Sequence, residues 1–453
     1  LGKYDMISGL REGGTFLLNT IWDKDKVVET IPNEIKRELA RKKAKFFIIN
    51  ATELAKEVGL GNRTNTIMQS AFFYLTQVIP YEKAKDYMKD YAEKTYGRKG
   101  HDVVEKNWAA VDKGTEGLEE IAVDPSWADL PVNEEIVESN KPEFVKRIAD
   151  PVNAIKGYDL PVSAFIGYED GTFENGTTHY EKRGIAVEVP EWQPDMCIQC
   201  NQCAYVCPHA VIRPFLIDEK EMAAAPEGMP TIKAIGKGFE NLQFKIQVSP
   251  LDCTGCGSCV NVCPAPKGKA IVMKPIDSQL ERKEDVNTDY LFNNVSYKDK
   301  IMGKGTVKGS QFAKPLFEFS GACAGCGETP YVKLVTQLFG ERMIIANATG
   351  CSSIYGGSAP STPYTTNSCG EGPAWASSLF EDNAEYGYGM FQAVNTVRQR
   401  IAKIMTECES EVAPELADLF VEWRENINDG DKTTELRDKM IPLLEKESGA
   451  KAK

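Results

Sequence analysis

The sequence predicts a multidomain protein of mixed α/β and α+β class, and three observations lead to this prediction. Its 453 residues leave room for two to four domains at about 100–200 residues each. Strand and helix patterns alternate near both ends of the chain, which favours α/β segments there. Between them lies a cysteine-rich block that holds two short, similar runs of cysteines.

The composition excludes several classes of protein. Apolar residues make up 42% of the chain and charged residues 26%, which is typical of soluble globular proteins and not of low-complexity, collagen-like or coiled-coil chains. No run of about 20 apolar residues occurs, so we expect no membrane span. The net charge of -13 argues against nucleic acid as a partner, because such a protein needs a basic surface.

The first region, residues 1–125, predicts an α/β arrangement. Short apolar runs at Thr15–Thr20 and Phe46–Asn50 predict strands. Helices are predicted at Pro32–Lys45, from its composition, and at Ala51–Val58, directly after the second strand. Apolar residues recurring every three or four positions predict three more, at Asn65–Val78, Glu82–Tyr96 and Asp102–Val111.

Later regions carry weaker patterns. Regularly spaced prolines between residues 124 and 190 predict little regular structure until a strand at Glu181–Val189. Within the polar stretch Ile276–Lys314, the segment Lys298–Ser310 lacks the spacing of a phosphate-binding loop and predicts a surface loop. A helix is predicted at Tyr331–Phe339, a strand at Met343–Ala346, and amphipathic helix over most of Gly389–Glu447.

The two cysteine runs share the spacing C-x2-C-x2-C-x3-C-P, at residues 197–208 and 253–264. In this pattern three thiolates reach three corners of one [4Fe–4S] cluster, and the fourth cysteine ligates the other cluster. One cluster should therefore take Cys197, Cys200, Cys203 and Cys263, and the other Cys253, Cys256, Cys259 and Cys207.

Zinc is the alternative to iron–sulfur clusters in these runs. Structural zinc sites use pairs of C-x2-C motifs rather than two quartets with this spacing, and the chain has only three histidines. Dense cysteines favour metal binding over disulfides. We therefore expect two [4Fe–4S] clusters in a reducing, cytoplasmic environment.

A third group of cysteines follows, formed by Cys323, Cys326 and Cys351. A single C-x2-C is also compatible with a redox-active pair, half of a zinc site or two incidental thiols. A third cluster is the leading interpretation, with Cys369 a candidate for the missing ligand. Cys408 lies in a predicted helix and is expected to fill apolar space.

Several motifs together resemble one family, the pyruvate:ferredoxin (flavodoxin) oxidoreductases. They are GGTFLLNT at 13–20, RTNTIMQ at 63–69, NWAAVD at 107–112, YEKRGIA at 180–186, FSGACAGCG at 319–327 and TGCS at 349–352. The resemblance implies a partial gamma-type domain at 1–125, and a linker with a small domain named for its Glu-Lys-Arg triplet at 126–190. It further implies a two-cluster ferredoxin-like domain at 191–275, and the N-terminal part of a thiamine-diphosphate-binding domain at 276–453.

The resemblance implies an activity and its partners. The family oxidatively decarboxylates pyruvate with coenzyme A, which yields acetyl-CoA and carbon dioxide. Electrons then pass through three [4Fe–4S] clusters to ferredoxin or flavodoxin. Thiamine diphosphate and Mg²⁺ are the further cofactors of the full-length protein, and a homodimer is expected.

The resemblance also implies roles for individual residues. Cys323, Cys326 and Cys351 match three ligands of the cluster nearest thiamine, while Glu328 and Cys351 match positions that line thiamine diphosphate. Asn65 and Asn107 match positions near coenzyme A. Simpler explanations exist for three of them, because Asn65 could cap a helix, Asn107 could be a surface residue and Glu328 a solvated charge.

The sequence also departs from the family pattern. The fourth ligand of the third cluster, the G-D-G motif for magnesium and pyrophosphate, and the domain that binds pyruvate are all missing from it. Leu1–Asp5 resembles the middle of a gamma-type domain. We therefore expect an interior segment that is inactive alone. The alternatives are a stand-alone electron-transfer module and an enzyme for another 2-oxoacid.

Overall fold

The computed structural model describes residues 5–131, 140–357 and 361–447. Residues Leu1–Tyr4 of the opening motif therefore lie outside the described residues. The chain divides into two units, residues 1–142 with 146–161, and residues 143–145 with 162–453. Each unit is described by itself. Among the described residues, no helix combines the length and the apolar character needed to cross a membrane.

The first unit is built on a three-stranded sheet in the order β1-β2-β3. Its strands are β1 (Thr15–Asn19), β2 (Lys45–Ile49) and β3 (Glu119–Ile121). Its helices are α1 (Lys24–Thr30), α2 (Asn33–Arg41), α3 (Ala51–Glu57), α4 (Asn65–Thr76), α5 (Tyr81–Tyr96), α6 (His101–Glu116) and α7 (Asp150–Asn153). Strands β1 and β2 are parallel, and β2 and β3 are antiparallel.

Both faces of this sheet are covered. Because side chains alternate along a strand, Phe46 and Ile48 face one apolar cluster and Ile49 faces another. Residues of α1 and α2 complete the first cluster, while residues of α3, α4 and α6 complete the second. The arrangement is α/β, as the sequence predicts.

The second unit holds three small sheets and eleven helices among its described residues. The first sheet pairs β4 (Glu188–Trp192) antiparallel with β8 (Ile271–Pro275). The second is antiparallel and contains, in spatial order, β5 (Ile212–Ile217), β7 (Gln243–Val248) and β6 (Ile232–Lys233). The third pairs β9 (Ile344–Ala348) in parallel with β10 (Ala374–Ser378). The helices are α8 (Gln202–Tyr205), α9 (Glu219–Ala223), α10 (Ser258–Val262), α11 (Ile276–Glu281), α12 (Glu284–Asn294), α13 (Val307–Ser310), α14 (Thr329–Phe339), α15 (Cys351–Gly357), α16 (Asn383–Cys408), α17 (Pro414–Glu425) and α18 (Gly430–Leu444).

Two predictions for this unit were wrong. The predicted strand Glu181–Val189 is absent up to Val187, because Lys182 and Gly184 adopt positive φ angles of 44° and 60° that break an extended run. The segment Lys298–Ser310, predicted as a surface loop, ends in helix α13, where Gly309 and Ser310 are buried, and helices α11 and α12 precede it in the polar stretch. Helix α12 buries the polar residues Asn287 and Thr288 beside Leu291, so its buried face carries only a weak apolar pattern.

The central sheets form the core beneath the cysteine runs. Strand β4 pairs with β8, while β5 and β7 lie beside them and are almost entirely buried. A single apolar cluster joins Trp192, Ile246 and Ile271 with Cys203 and Cys253. The cysteine loops are thus fixed to a packed core.

Candidate iron–sulfur centres

One cavity in the second unit is surrounded by four thiols from both cysteine runs. Its cysteines are Cys197, Cys200, Cys203 and Cys263. The remaining wall is largely apolar and includes Trp192, Ile246 and Ile271. The cavity contains about 330 Å³ of space outside the protein atoms.

A second cavity is surrounded by the other four thiols. These are Cys207, Cys253, Cys256 and Cys259, and the cavity contains about 320 Å³ of space outside the protein atoms. His209, Val211 and Met273 also line it. Each cavity therefore receives three cysteines from one run and the last cysteine of the other run, which is the grouping that the spacing predicts.

The two runs follow the same backbone path. The residues on either side of the second cysteine are left-handed in both runs, at Gln199 (φ 57°) and Asn201 (φ 61°), and at Gly255 (φ 68°) and Gly257 (φ 73°). The third cysteine of each run then enters a short helix, α8 or α10. This path turns three side chains toward one space.

Backbone N–H groups point at the sulfur atoms. The N–H groups of Gln199 and Gly255 each donate to the Sγ atom two residues before them, Cys197 and Cys253, at 3.4 Å. The N–H of Ala270 donates to the Sγ atom of Cys263 at 3.3 Å. Such hydrogen bonds stabilise negative charge on sulfur.

The surroundings of the buried thiols disfavour the ionised form. Every cysteine is free of disulfides. Burial and the neighbouring thiols raise the pKa values of Cys203 and Cys259, and burial raises the pKa of Cys253 to about 12. Thiolates at these positions require a strong positive charge such as that of bound iron. The donor set, the apolar walls and the N–H groups thus fit [4Fe–4S] clusters.

The arrangement differs from that of a zinc site. A zinc ion needs donors that converge on one point at about 2.0–2.3 Å. Within the described ranges, no three His, Cys, Asp or Glu side chains lie close enough together to bind one metal ion. The eight thiols surround cavities instead, which suits clusters of several atoms.

The third cysteine group lies at the start of two helices. Cys323 and Cys326 belong to the loop before α14, and Cys351 begins α15 directly after β9. Cys323 and Cys351 are exposed. Although burial raises the pKa of Cys326, hydrogen bonds from the backbone of Thr329 and Glu328 lower it overall, which favours a thiolate there.

Glu328 lies between these two helices. Burial and the nearby Glu328 charge raise the pKa of Tyr355, and the same two causes raise the pKa of Tyr364 to about 12. Tyr355 is one helical turn after Cys351, so the loop that holds Cys326 and Glu328 faces α15. Glu328 is exposed but lies beside these tyrosines rather than at an open turn.

The third group contacts the second cavity. A Cβ atom built on Gly325 would lie 3.6 Å from the Cβ atom of Cys256. His209, which lines the second cavity, is buried and its Nε2 lies 2.9 Å from the carbonyl oxygen of Ala322. A carbonyl can only accept, so Nε2 carries the proton, and burial lowers the pKa of His209 and keeps the ring neutral.

The two asparagines matched to coenzyme A lie on packed helices of the first unit. Asn65 is exposed and is the first residue of α4, whose N-cap is Thr64, so Asn65 is not the cap. Asn107 is buried rather than at the surface, donates to the carbonyl of Val103 at 2.8 Å and accepts from Thr66 at 3.4 Å. These contacts give Asn107 a structural role in joining α4 to α6.

The two remaining cysteines are separate from these groups. Cys369 is exposed in a turn, and its N–H donates to the side chain of Asn367. Cys408 is buried at the end of α16 among Met405, Leu416 and Phe420. Cys408 thus fills apolar space, as the sequence predicts.

The sequence did not reveal an ion pair and a lysine that are buried near the cavities. Arg213 and Glu318 form an ion pair in which both side chains are almost fully buried, and Arg213 also donates to Tyr297 at 2.9 Å. Lys333 is buried on α14. Lys and Arg on helices and strands usually indicate solvent-facing positions, so only the three-dimensional contacts identify them.

Two crossed quartets of free thiols define this part of the chain as an iron–sulfur protein with two clusters. Comparison with known families agrees, since residues 196–267 match the 4Fe-4S dicluster domain. Residues 2–117 match the pyruvate ferredoxin/flavodoxin oxidoreductase family, and residues 132–186 match a domain of unknown function designated EKR.

Individual relatives match almost the whole chain. It is 51% identical over 445 residues to the pyruvate:ferredoxin oxidoreductase of Moorella thermoacetica and 49% identical over 454 residues to the pyruvate-flavodoxin oxidoreductase of Klebsiella pneumoniae. Both alignments cover 98% of this chain and 38% of the relative. A mitochondrial pyruvate dehydrogenase [NADP(+)] of Euglena gracilis is 44% identical, with 99% of this chain and 25% of that protein aligned.

The chain is therefore a homologue of the pyruvate:ferredoxin and pyruvate-flavodoxin oxidoreductases over nearly all of its residues. It spans about 38% of the length of these two relatives.

Proposed function

We propose that the chain forms the electron-relay part of a pyruvate:ferredoxin or pyruvate:flavodoxin oxidoreductase. The observation that carries this proposal is the crossed grouping of the two cysteine runs around two cavities. The whole enzyme would convert pyruvate and coenzyme A to acetyl-CoA and carbon dioxide in the cytoplasm, as a homodimer. Ferredoxin or flavodoxin would accept the electrons.

The proposed ligands follow the cavities. Cys197, Cys200, Cys203 and Cys263 would hold one [4Fe–4S] cluster, and Cys207, Cys253, Cys256 and Cys259 the other. When bound, each cluster can take up and release one electron at a time. The chain's own contribution is to hold the thiolates, to direct N–H groups at sulfur and to surround the site with apolar side chains such as Trp192 and Val211.

The contacts support an order for the relay. The loop of Cys323 and Cys326 touches the second cavity at Cys256, so electrons from the third site would reach that cavity first. The first cavity includes Ile198, which is 48% exposed. We therefore place the exit to the external carrier at the first cavity.

The remaining sites are proposed from the family resemblance. Cys323, Cys326 and Cys351 would supply three ligands of the third cluster, while Glu328 and Cys351 would line thiamine diphosphate. That cofactor, bound with Mg²⁺, supplies the electron sink for decarboxylation. Of the two asparagines proposed to lie near coenzyme A, the exposed Asn65 is the better placed, because the side chain of Asn107 is occupied by Val103 and Thr66.

Iron analysis and turnover test this function. The full-length enzyme should contain about twelve irons and as many acid-labile sulfides per chain, and should reduce a viologen dye with pyruvate and coenzyme A. The 453-residue chain alone should retain about eight irons and show no turnover. Zinc in place of iron, or turnover by the chain alone, would contradict the proposal.

A further inference from the structure

A buried lysine lies beneath the segment that connects the two cavities. Lys333 on α14 is 1% exposed. Its Nζ donates to the carbonyl oxygens of Ala204 and Tyr205, the latter at 3.0 Å, and to the side-chain oxygen of Gln311 at 3.3 Å. Ala204 and Tyr205 lie between Cys203, which lines the first cavity, and Cys207, which lines the second.

Lys333 has no carboxylate to balance its charge. In the described part of the chain, no Asp or Glu oxygen forms an ion pair with its Nζ atom. Besides burial, the groups that act on it are Cys207 and Cys203, which favour the ammonium form when they are thiolates, and Arg213, which opposes it. Burial lowers the pKa of Lys333 to about 8, so a negative partner nearby would be needed to keep it fully charged.

Lys245 provides a contrast to Lys333. Lys245 is also 1% exposed, but its Nζ atom lies 3.5 Å from the carboxylate of Glu284. A buried charge normally has such a partner, because an unpaired one is costly to remove from water. Within the described residues, the neighbours of Lys333 that would carry negative charge are Cys207 and Cys203, as thiolates bound to the clusters.

We propose that Lys333 is a positioning residue of the relay, whose ammonium group is the counter-charge of Cys203 and Cys207 and favours the reduced state of both clusters. The proposal rests on the cluster ligation proposed above. Reduction adds one negative charge to a cluster, and a fixed positive charge in an apolar interior stabilises the more negative state. The hydrogen bonds to Ala204 and Tyr205 hold the ammonium in place beneath the connecting segment.

The midpoint potentials of the clusters test this role. In the full-length holoenzyme, the variant Lys333→Met should make reduction of the two clusters at least tenfold less favourable, a shift of ~59 mV to lower potential for one electron. Redox titration followed by electron paramagnetic resonance measures this shift. Lys333→Arg keeps the charge and should shift the potentials less than Lys333→Met.

Two further variants make the test decisive. Lys439→Met removes the same charge from an exposed lysine paired with Glu435 and should leave the potentials unchanged. Lys333→Gln keeps a hydrogen-bond donor without the charge and should lower the potentials as Lys333→Met does. If Lys333→Gln retains its iron and has the potentials of the wild type, the lysine is only structural and the proposal is overturned. Absence of iron from the wild-type enzyme would instead overturn the cluster assignment, and the proposal with it.

Discussion

The two cysteine runs reach the same backbone conformation by different means. The second run uses Gly255 and Gly257 at its two left-handed positions, where glycine carries no steric cost. The first run has Gln199 and Asn201 there, and both side chains are about 1% exposed. A left-handed conformation costs a residue such as Gln199 about 1–2 kcal/mol, and it costs asparagine less.

Hydrogen bonds offset that cost in the first run. Gln199 donates to the carbonyl of Lys233 and accepts from the N–H of Ile235, each at 2.8 Å, while Asn201 donates to the carbonyl of Lys308 at 3.0 Å. Hydrogen bonds to neighbouring segments therefore hold the first run in its conformation, whereas the second run adopts that conformation because its glycines have no Cβ atom. The two loops should respond differently to substitution.

The largest expected effect is from Cys207→Ser, which tests whether the runs cross. Although Cys207 belongs to the first run, its loss should remove about four irons from the cavity of Cys253, Cys256 and Cys259. Iron analysis and electron paramagnetic resonance of the purified enzyme measure this. Cys369→Ser, at an exposed cysteine outside both quartets, is the matched control. If the signal of the cluster at Cys197, Cys200 and Cys203 is lost instead, the runs do not cross.

Gln199→Ala should have the next largest effect. It leaves the carbonyl of Lys233 and the N–H of Ile235 without their partner and keeps the left-handed strain, so the free energy of unfolding should fall by about 1–3 kcal/mol. Anaerobic urea denaturation measures the change. Gln199→Met keeps the length of the side chain without either hydrogen bond and should lose nearly as much stability as Gln199→Ala if the hydrogen bonds matter. If Gln199→Ala is as stable as the wild type, the hydrogen bonds of Gln199 do not stabilise the first run and the expected difference between the two runs is wrong.

Gly255→Ala should destabilise the second run by about 2 kcal/mol through left-handed strain and crowding. Its new Cβ atom would lie 3.1 Å from the carbonyl oxygen of Glu188 and 3.3 Å from the Cβ atom of Ala186. The same denaturation measurement applies. If Gly255→Ala has the free energy of unfolding of the wild type, the segment at Ala186 and Glu188 moves away from the new Cβ atom at little cost.

Gly257→Ala should have the smallest effect, about 1 kcal/mol. Its φ angle of 73° resembles that of Gly255, but a Cβ atom there would meet nothing within 4 Å. The difference between the two glycine variants therefore isolates crowding from strain. Equal losses of stability would assign the whole effect to the backbone angle.

The sequence predicted the features that depend on local spacing. Strands β1 and β2 follow from short apolar runs, helices α4 to α6 follow from apolar periodicity, and the cavity groups follow from cysteine spacing, whereas β3 was not predicted. Helix α12 was missed because its buried Thr288 bonds to Gln247 at 2.9 Å, so polar residues occupy the face that apolar residues usually mark. Lys333 was missed because its surroundings come from residues 129 positions away in the sequence.

The left-handed positions illustrate the same limit. Gly255 and Gly257 indicate a positive φ angle by their residue type. Gln199 and Asn201 do not, because their conformation depends on acceptors at Lys233 and Lys308 that are distant in sequence. A glycine is visible in the sequence at the position itself, whereas a tertiary hydrogen bond has no signature in the neighbouring residues.

The crossed cysteine quartets also bear on assembly. A cluster held by Cys207 together with Cys253, Cys256 and Cys259 would act as a covalent cross-link between distant parts of the chain, and the cluster that includes Cys263 would be a second one. Cross-links of this kind restrict the unfolded chain and so stabilise the folded one. Neither run could be loaded with iron while the other is unfolded. Loss of one cluster would therefore remove one of the two cross-links, and the chain should become easier to unfold even while the remaining centre is still bound.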